Sequence, residues 1–149
     1  MATVYDVPID NLIRNVAEKL KEIEEVQPPD YAYFVKTGVH KERAPEQQDW
    51  WYLRAASLMR KVYTDGPVGI ERLKTFYGGK ERKGVKKSRF ARGSGSIIRD
   101  ILQQLEKAGY IKTTKQGRII TPQGRAFMDK NAKALKDTIV EEVPALAKY

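Results

Sequence analysis

Apolar residues recur at helical spacing near the start of the chain: Ile9, Leu12, Ile13, Val16, Leu20 and Ile23. Positions three and four apart share one face of a helix, so this run predicts an amphipathic helix with one buried stripe. Pro8 suits its first turn, Asp6 is placed to cap it, and Pro28-Pro29 stops any continuation. The acidic cluster Glu22, Glu24 and Glu25 falls late in this helix and reads as a solvated face that repels phosphate. Residues 30–48 show no regular period. There Tyr31, Tyr33, Phe34 and Val35 suggest a short piece covering the core, and Lys36–Pro45 a loop.

A second helix is predicted from about Asp49 to Thr64, with Asp49 as cap and Asp65-Gly66-Pro67 as stop. Its apolar residues fill two adjacent rows, Trp51/Ala55/Leu58/Val62 and Tyr52/Ala56/Met59/Tyr63, so this helix should be central and mostly buried. One strip is different: Trp50, Arg54, Ser57 and Lys61 align on it, with Arg60 at its edge. Gly66–Tyr77 holds a short amphipathic turn with Ile70 and Leu73. A third helix, about Ser96–Ala108, buries Ile97, Ile98, Ile101, Leu102 and Leu105; Ser94 or Ser96 caps it and Gly109 stops it.

A hairpin pattern follows, Tyr110–Thr113 and Arg118–Thr121 around Lys115-Gln116-Gly117. A last helix runs from Pro122 to about Leu135, weakened in its first turn by Gly124. The tail from Lys136 to Tyr149 has no clear pattern. The order predicts a mainly α fold: a helical bundle with a winged-helix-like core and a small β-hairpin. No linker divides the 149 residues, a length suited to one domain.

Charge adds a direction to this frame. Residues 1–49 carry 6 Lys/Arg against 10 Asp/Glu, and residues 50–149 carry 22 against 9. The basic rear two thirds look like a surface aimed at a polyanion. The density peaks in the stretch Gly78–Arg92, GGKERKGVKKSRFAR, where Lys80, Arg82, Lys83, Lys86, Lys87, Arg89 and Arg92 face one acid, Glu81. A phosphate surface relieves that self-repulsion through counterion release. The stretch reads as a loop, mobile without RNA, with Tyr77 and Phe90 either stacking on bases or, the favoured reading, anchoring it to the core. Trp50, Arg54, Arg60 and Lys61 are a second candidate surface. The competing reading places Arg54 against an acid inside the fold and Trp50 in the core. A third candidate is Gly93–Ser96 before the third helix, where Ser94, Ser96 and backbone N–H groups could hold a phosphate.

Enzyme chemistry finds little support. The chain has no cysteine and one histidine, His40, in a polar loop without ligand spacing. His40 reads as a surface residue. No nucleophile elbow, zinc signature, Walker loop or dinucleotide fingerprint occurs, and no cofactor or metal is expected. Met1–Asp10 lacks the basic and apolar regions of a signal peptide, and no apolar run is long enough for a membrane span. A winged-helix DNA-binding regulator is the alternative. Its reading helix would expose Arg99, Asp100, Gln103, Gln104, Glu106 and Lys107, where two bases and two acids cancel.

Several segments together resemble the small-ribosomal-subunit protein 19e family of archaea and eukaryotes: DWWYLRAASLMRKVY (Asp49–Tyr63), FYGGKERKGVKKSRFARGSGS (Phe76–Ser96), the helix Ile97–Gly109, and TPQGR (Thr121–Arg125). The N-terminal helix and KTGVHKERAP (Lys36–Pro45) also fit, so the resemblance spans about Val4–Leu135. It implies a non-enzymatic protein in the head of the small subunit, bound to small-subunit rRNA and beside neighbouring ribosomal proteins. It also implies support of rRNA maturation and assembly, a cytoplasmic ribosomal location and a monomer off the ribosome. Arg54 and Arg60, with the basic stretch, match the family's RNA-facing surface. High charge and the lack of cysteine favour an archaeal member.

Overall fold

A computed structural model describes residues 2–148. In chain order it holds α1 (Ile9–Leu20), α2 (Trp50–Asp65), α3 (Ile70–Phe76), β1 (Gly79–Lys83), β2 (Lys86–Ala91), α4 (Gly95–Lys107), β3 (Ile111–Thr114), β4 (Gly117–Ile120) and α5 (Pro122–Glu142), with short 3-10 turns at Val4–Asp6, Asp30–Tyr33 and Pro144–Lys148. The mainly α reading holds.

Helix α2 is the axis of the molecule. Trp51, Ala55, Ala56, Leu58, Met59, Val62 and Tyr63 are all buried, so the helix is covered over most of its circumference, as its two apolar rows require. Helices α1 and α4 press Leu12, Val16 and Leu20, and Ile97, Ile98, Ile101, Leu102 and Leu105, into the same apolar cluster. From α5, Met128 and Ala132 complete it.

The winged-helix-like part is the series α2, α3, α4, β3, β4. Its first strand has shrunk to one residue: Val68 bridges Arg118 antiparallel, donating to the Arg118 carbonyl (3.1 Å) and accepting from its N–H (2.9 Å). This close pairing needs the glycine beside it. A Cβ on Gly117, whose φ is +134°, would lie 2.8 Å from the Val68 backbone.

The structure departs from the sequence reading at several places. Asp6 does not cap α1; it accepts from the Thr3 N–H (2.8 Å) within its own 3-10 turn, and Pro8 holds the cap position. Helix α1 ends at Leu20, so Glu22, Glu24 and Glu25 follow it. Asp49 precedes α2 but makes no capping bond; its carboxylate lies 3.5 Å from Lys21 Nζ. Ser94, not Ser96, caps α4. Helix α5 continues seven residues past Leu135, absorbing half of the predicted tail.

The largest difference lies in Gly78–Arg92, which forms an antiparallel hairpin instead of a loop. Lys80 pairs with Phe90, Glu81 with Arg89 and Lys83 with Lys86, with a register irregularity between Glu81 and Lys83. The two-residue connection is Gly84-Val85, and Gly84 takes φ +71°, the backbone a II′ hairpin turn requires at its first position. The fold therefore has two hairpins, and the basic one is inserted between α3 and α4.

Candidate nucleic-acid interface

The basic hairpin buries no face. Lys80, Arg82, Lys83, Lys86, Lys87 and Arg89 are exposed on both strands. Such a strand pair is marginal alone, so it is held at its base. Gly38 bridges Gly93 antiparallel, Ser94 N–H donates to the Thr37 carbonyl (3.0 Å), and the Gly93 N–H donates to the Lys74 carbonyl (2.9 Å). Arg92 leaves the hairpin's end and pairs with Glu71 at 2.6 Å, an exposed ion pair. The two aromatics expected as anchors divide. Tyr77 is half-buried against the core, whereas Phe90 is exposed.

His40 is a correction. It is half-buried at the foot of the hairpin, where a Cβ on Gly79 would lie 2.9 Å from its ring, and its Nδ1 is buried without a hydrogen-bond partner. Burial, reinforced by the charges of Lys41 and Arg54, holds its pKa below the ordinary value. Gly38 and Gly79 make room for this ring, a role that composition does not reveal.

The α2 strip resolves into individual roles. Arg54 is half-buried with its guanidinium carbon 4.1 Å from the centre of the Tyr77 ring, and no carboxylate among the described residues pairs with it. Burial lowers its pKa, and the Tyr77 hydroxyl opposes that shift. Tyr77 is fixed in turn by Ser57 Oγ at 2.6 Å. Trp50 donates from Nε1 to the Ala32 carbonyl (3.2 Å) and packs edge-on against Trp51, so it lies against the core rather than offering a free face. Arg60 is half-buried, with Nε unpartnered. Lys61 pairs with Asp65 at 2.8 Å and lies over the Phe76 ring. Ser94 spends its hydroxyl on the Ile97 N–H, and Ser96 is exposed.

Sequence reasoning missed the segment that joins these parts. A cleft of about 420 Å³ beside Arg54 is rimmed by Lys41, Arg43, Ser57 and Tyr77. A second hollow of about 690 Å³ lies along the hairpin and shares Lys41, adding Lys36, Lys80 and Arg82. Lys36, Lys41 and Arg43 thus make the α2 cleft and the hairpin neighbours on one surface. Their charges are visible in the sequence, but they sit in an acidic half and are brought to the hairpin by long-range contacts, among them the Gly38–Gly93 bridge and the Ser94–Thr37 bond.

The α4 face that a DNA-reading helix would use is partly engaged within the fold, while Arg99, Gln103, Glu106 and Lys107 are exposed as expected. Of the α4 positions expected to be exposed, Asp100 accepts from the Tyr31 hydroxyl. Gln104 accepts from Trp51 Nε1 (2.9 Å) and donates to the Gln27 carbonyl (2.7 Å). The segment Gln27–Tyr31 therefore packs along one edge of α4. Among the described residues, no cluster of three His, Asp or Glu side chains could hold a metal.

Basic side chains gathered on one surface of a helical bundle are the charge pattern expected of a nucleoprotein component. Residues 3–138 match the family described as ribosomal protein S19e. The chain is 47% identical to the small ribosomal subunit protein eS19 of Aeropyrum pernix, 43% to that of Thermoplasma acidophilum and 46% to that of Haloarcula marismortui, each over 100% of this chain and 99% of the relative. The chain belongs to the ribosomal protein S19e family, a family of ribosomal proteins and not of enzymes.

Proposed function

We propose that the protein is a structural constituent of the small subunit of the cytoplasmic ribosome, where it grips rRNA and supports that rRNA's maturation and assembly. The observation that carries this reading is Arg54: a half-buried guanidinium with no carboxylate partner, stacked on Tyr77 in a cleft rimmed by Lys41 and Arg43. A cation held this way lacks only an anion, and its fork fits phosphate oxygens. Arg60, six residues further along α2 with its Nε unpartnered, is a second arginine that this helix offers. The hairpin residues Lys80, Arg82, Lys83, Lys86, Lys87 and Arg89 supply the wider phosphate contact, with Arg92, Ser94 and Ser96 where the hairpin meets α4. Lys61 and Trp50 take part less directly, through Asp65 and the Ala32 carbonyl that hold them.

Paired strands suit this role better than an open loop, because part of the order that binding requires is already present. Neighbouring proteins of the small-subunit head are the expected contacts of the acidic N-terminal part, and off the ribosome the chain is expected to be a monomer. Charge reversal at Lys83, Lys86, Lys87 and Arg89 tests the reading. The variant should melt as the wild type and fail to co-sediment with small subunits; wild-type co-sedimentation sinks the assignment.

A further inference from the structure

Phe34 was expected to cover the core, yet it is 83% exposed, and Tyr33 and Val39 nearby are 69% and 64% exposed. The local backbone explains the split. The 3-10 turn Asp30–Tyr33 sends Tyr31 inward, edge-on to Trp51 and bonded to Asp100, and buries Ala32. The chain then leaves the turn with Phe34 directed away from that packing. A solvent-facing phenylalanine beside further apolar side chains marks a contact site.

Phe34 and Val39 line a groove of about 410 Å³ whose only charged walls are Lys36 and Arg92. Lys36 also borders the hollow along the basic hairpin, so the groove continues the cationic surface. Arg92 is paired with Glu71, but both side chains are more than half exposed, and such pairs yield to a competing anion at little cost. A partner with a flat face and a negative charge fits this combination.

We propose that this groove holds one unpaired nucleotide of the rRNA, its base stacked on Phe34 and its phosphate near Lys36 and Arg92. The inference rests on the rRNA-binding reading above and adds a subsite that reads single-stranded character rather than charge alone. Stacking on an aromatic ring is indifferent to which base is presented, since every base offers a π-face. The hairpin and the Arg54 cleft supply phosphate contacts; the Phe34 groove supplies a place for a base that has left its helix.

The test uses the full chain and small-subunit rRNA as the probe. Phe34→Ala should weaken binding about tenfold, and Phe34→Leu, equally apolar but without a π-face, should weaken it as much. Phe34→Tyr and Phe34→Trp should bind as the wild type. All four should melt as the wild type, because the side chain is solvent-exposed. The salt dependence of Phe34→Ala should keep the wild-type slope, since stacking releases no counterions. Ultraviolet crosslinking of the wild type should join Phe34 to an unpaired nucleotide. Wild-type rRNA binding by Phe34→Ala or by Phe34→Leu overturns the proposal. Wild-type rRNA binding by Phe34→Ala with weakened joining of assembled subunits also overturns it, and assigns the groove to a protein neighbour. The hairpin charge reversal, made with Phe34 intact, keeps the two readings apart: its failure to reduce rRNA binding sinks the rRNA reading itself.

Discussion

Arg54 and Tyr77 form one unit: the guanidinium carbon sits 4.1 Å from the ring centre, and the ring is tethered by its hydroxyl to Ser57, one turn along the same helix as Arg54. The arginine is thereby held out from α2 in a fixed pose. A side chain with many rotamers ordinarily loses that freedom on binding; here much of it is already lost in the free protein.

Substitutions at this pair separate pose from charge. Tyr77→Phe keeps the stack and loses the bond to Ser57, so stability should fall by about 1 kcal/mol while rRNA affinity stays close to wild type. Arg54→Lys keeps the charge and loses the planar fork, and affinity should fall roughly tenfold. Thermal melts and filter binding to small-subunit rRNA read the two effects. Equal affinity of Arg54→Lys and wild type would show that the site senses charge alone.

The turn of the basic hairpin offers a conformational test. Gly84 has φ +71° and open space around it, so a side chain there meets strain in the backbone and not a clash. Gly84→Val should cost roughly 1–2 kcal/mol locally and fray β1 and β2. Because these strands bury no core residue, global melting should not move, while hydrogen exchange in the hairpin speeds up and rRNA binding weakens.

The TPQGR motif makes a different prediction. Thr121 Oγ1 accepts from the Gly124 N–H (3.1 Å) and donates to the Gly109 carbonyl (2.7 Å), joining the start of α5 to the end of α4. Gly124 is buried, and a Cβ there would lie 2.3 Å from the Tyr110 carbonyl oxygen. Gly124→Ala should destabilise the fold by about 1–3 kcal/mol, and Thr121→Val by about 1–2 kcal/mol. Both costs should appear in denaturant melts. Unchanged melting of Gly124→Ala would mean that α5 does not seat against Tyr110 as described.

His40 predicts a pH dependence. Its folded pKa lies below the ordinary histidine value because burial disfavours the charged ring. The unfolded chain therefore binds the proton more readily, and this residue's contribution to stability falls as pH drops through about 6.5 towards the lower folded pKa. Asp6 and Asp65, whose pKa values are also lowered, act below the ordinary carboxylate value and leave that window clear. His40→Gln should flatten the stability profile between about pH 5 and pH 7. An unchanged slope in that variant would place the titration elsewhere.

The helices were legible wherever apolar residues repeat at helical spacing. The rows of α2 and α4 gave their burial almost residue by residue, and the Val68–Arg118 bridge fits a winged-helix-like order. The basic hairpin was not legible, because neither strand alternates apolar with polar residues; both carry charge on two faces. Only Gly84 hinted at its turn. In the candidate site, the charges of the hairpin and the presence of Arg54 were readable, but their joining through Lys36, Lys41 and Arg43 depends on long-range contacts that local pattern does not encode. Phe34 illustrates the same limit: an aromatic residue in an irregular segment looks like core until the turn before it is known.

The two α4 side chains that bond within the fold, Asp100 and Gln104, have a consequence for how damage to this protein would show itself. Asp100 and Gln104 fasten the segment Gln27–Tyr31 to the body. Lesions at these two positions would raise the unfolded fraction and expose the chain to proteolysis, lowering how much protein a cell accumulates. Lesions on the hairpin would leave the amount unchanged and lower how much of it is incorporated. Two variants of similar severity on neighbouring elements would thus be told apart by abundance against occupancy, measured in the same lysate.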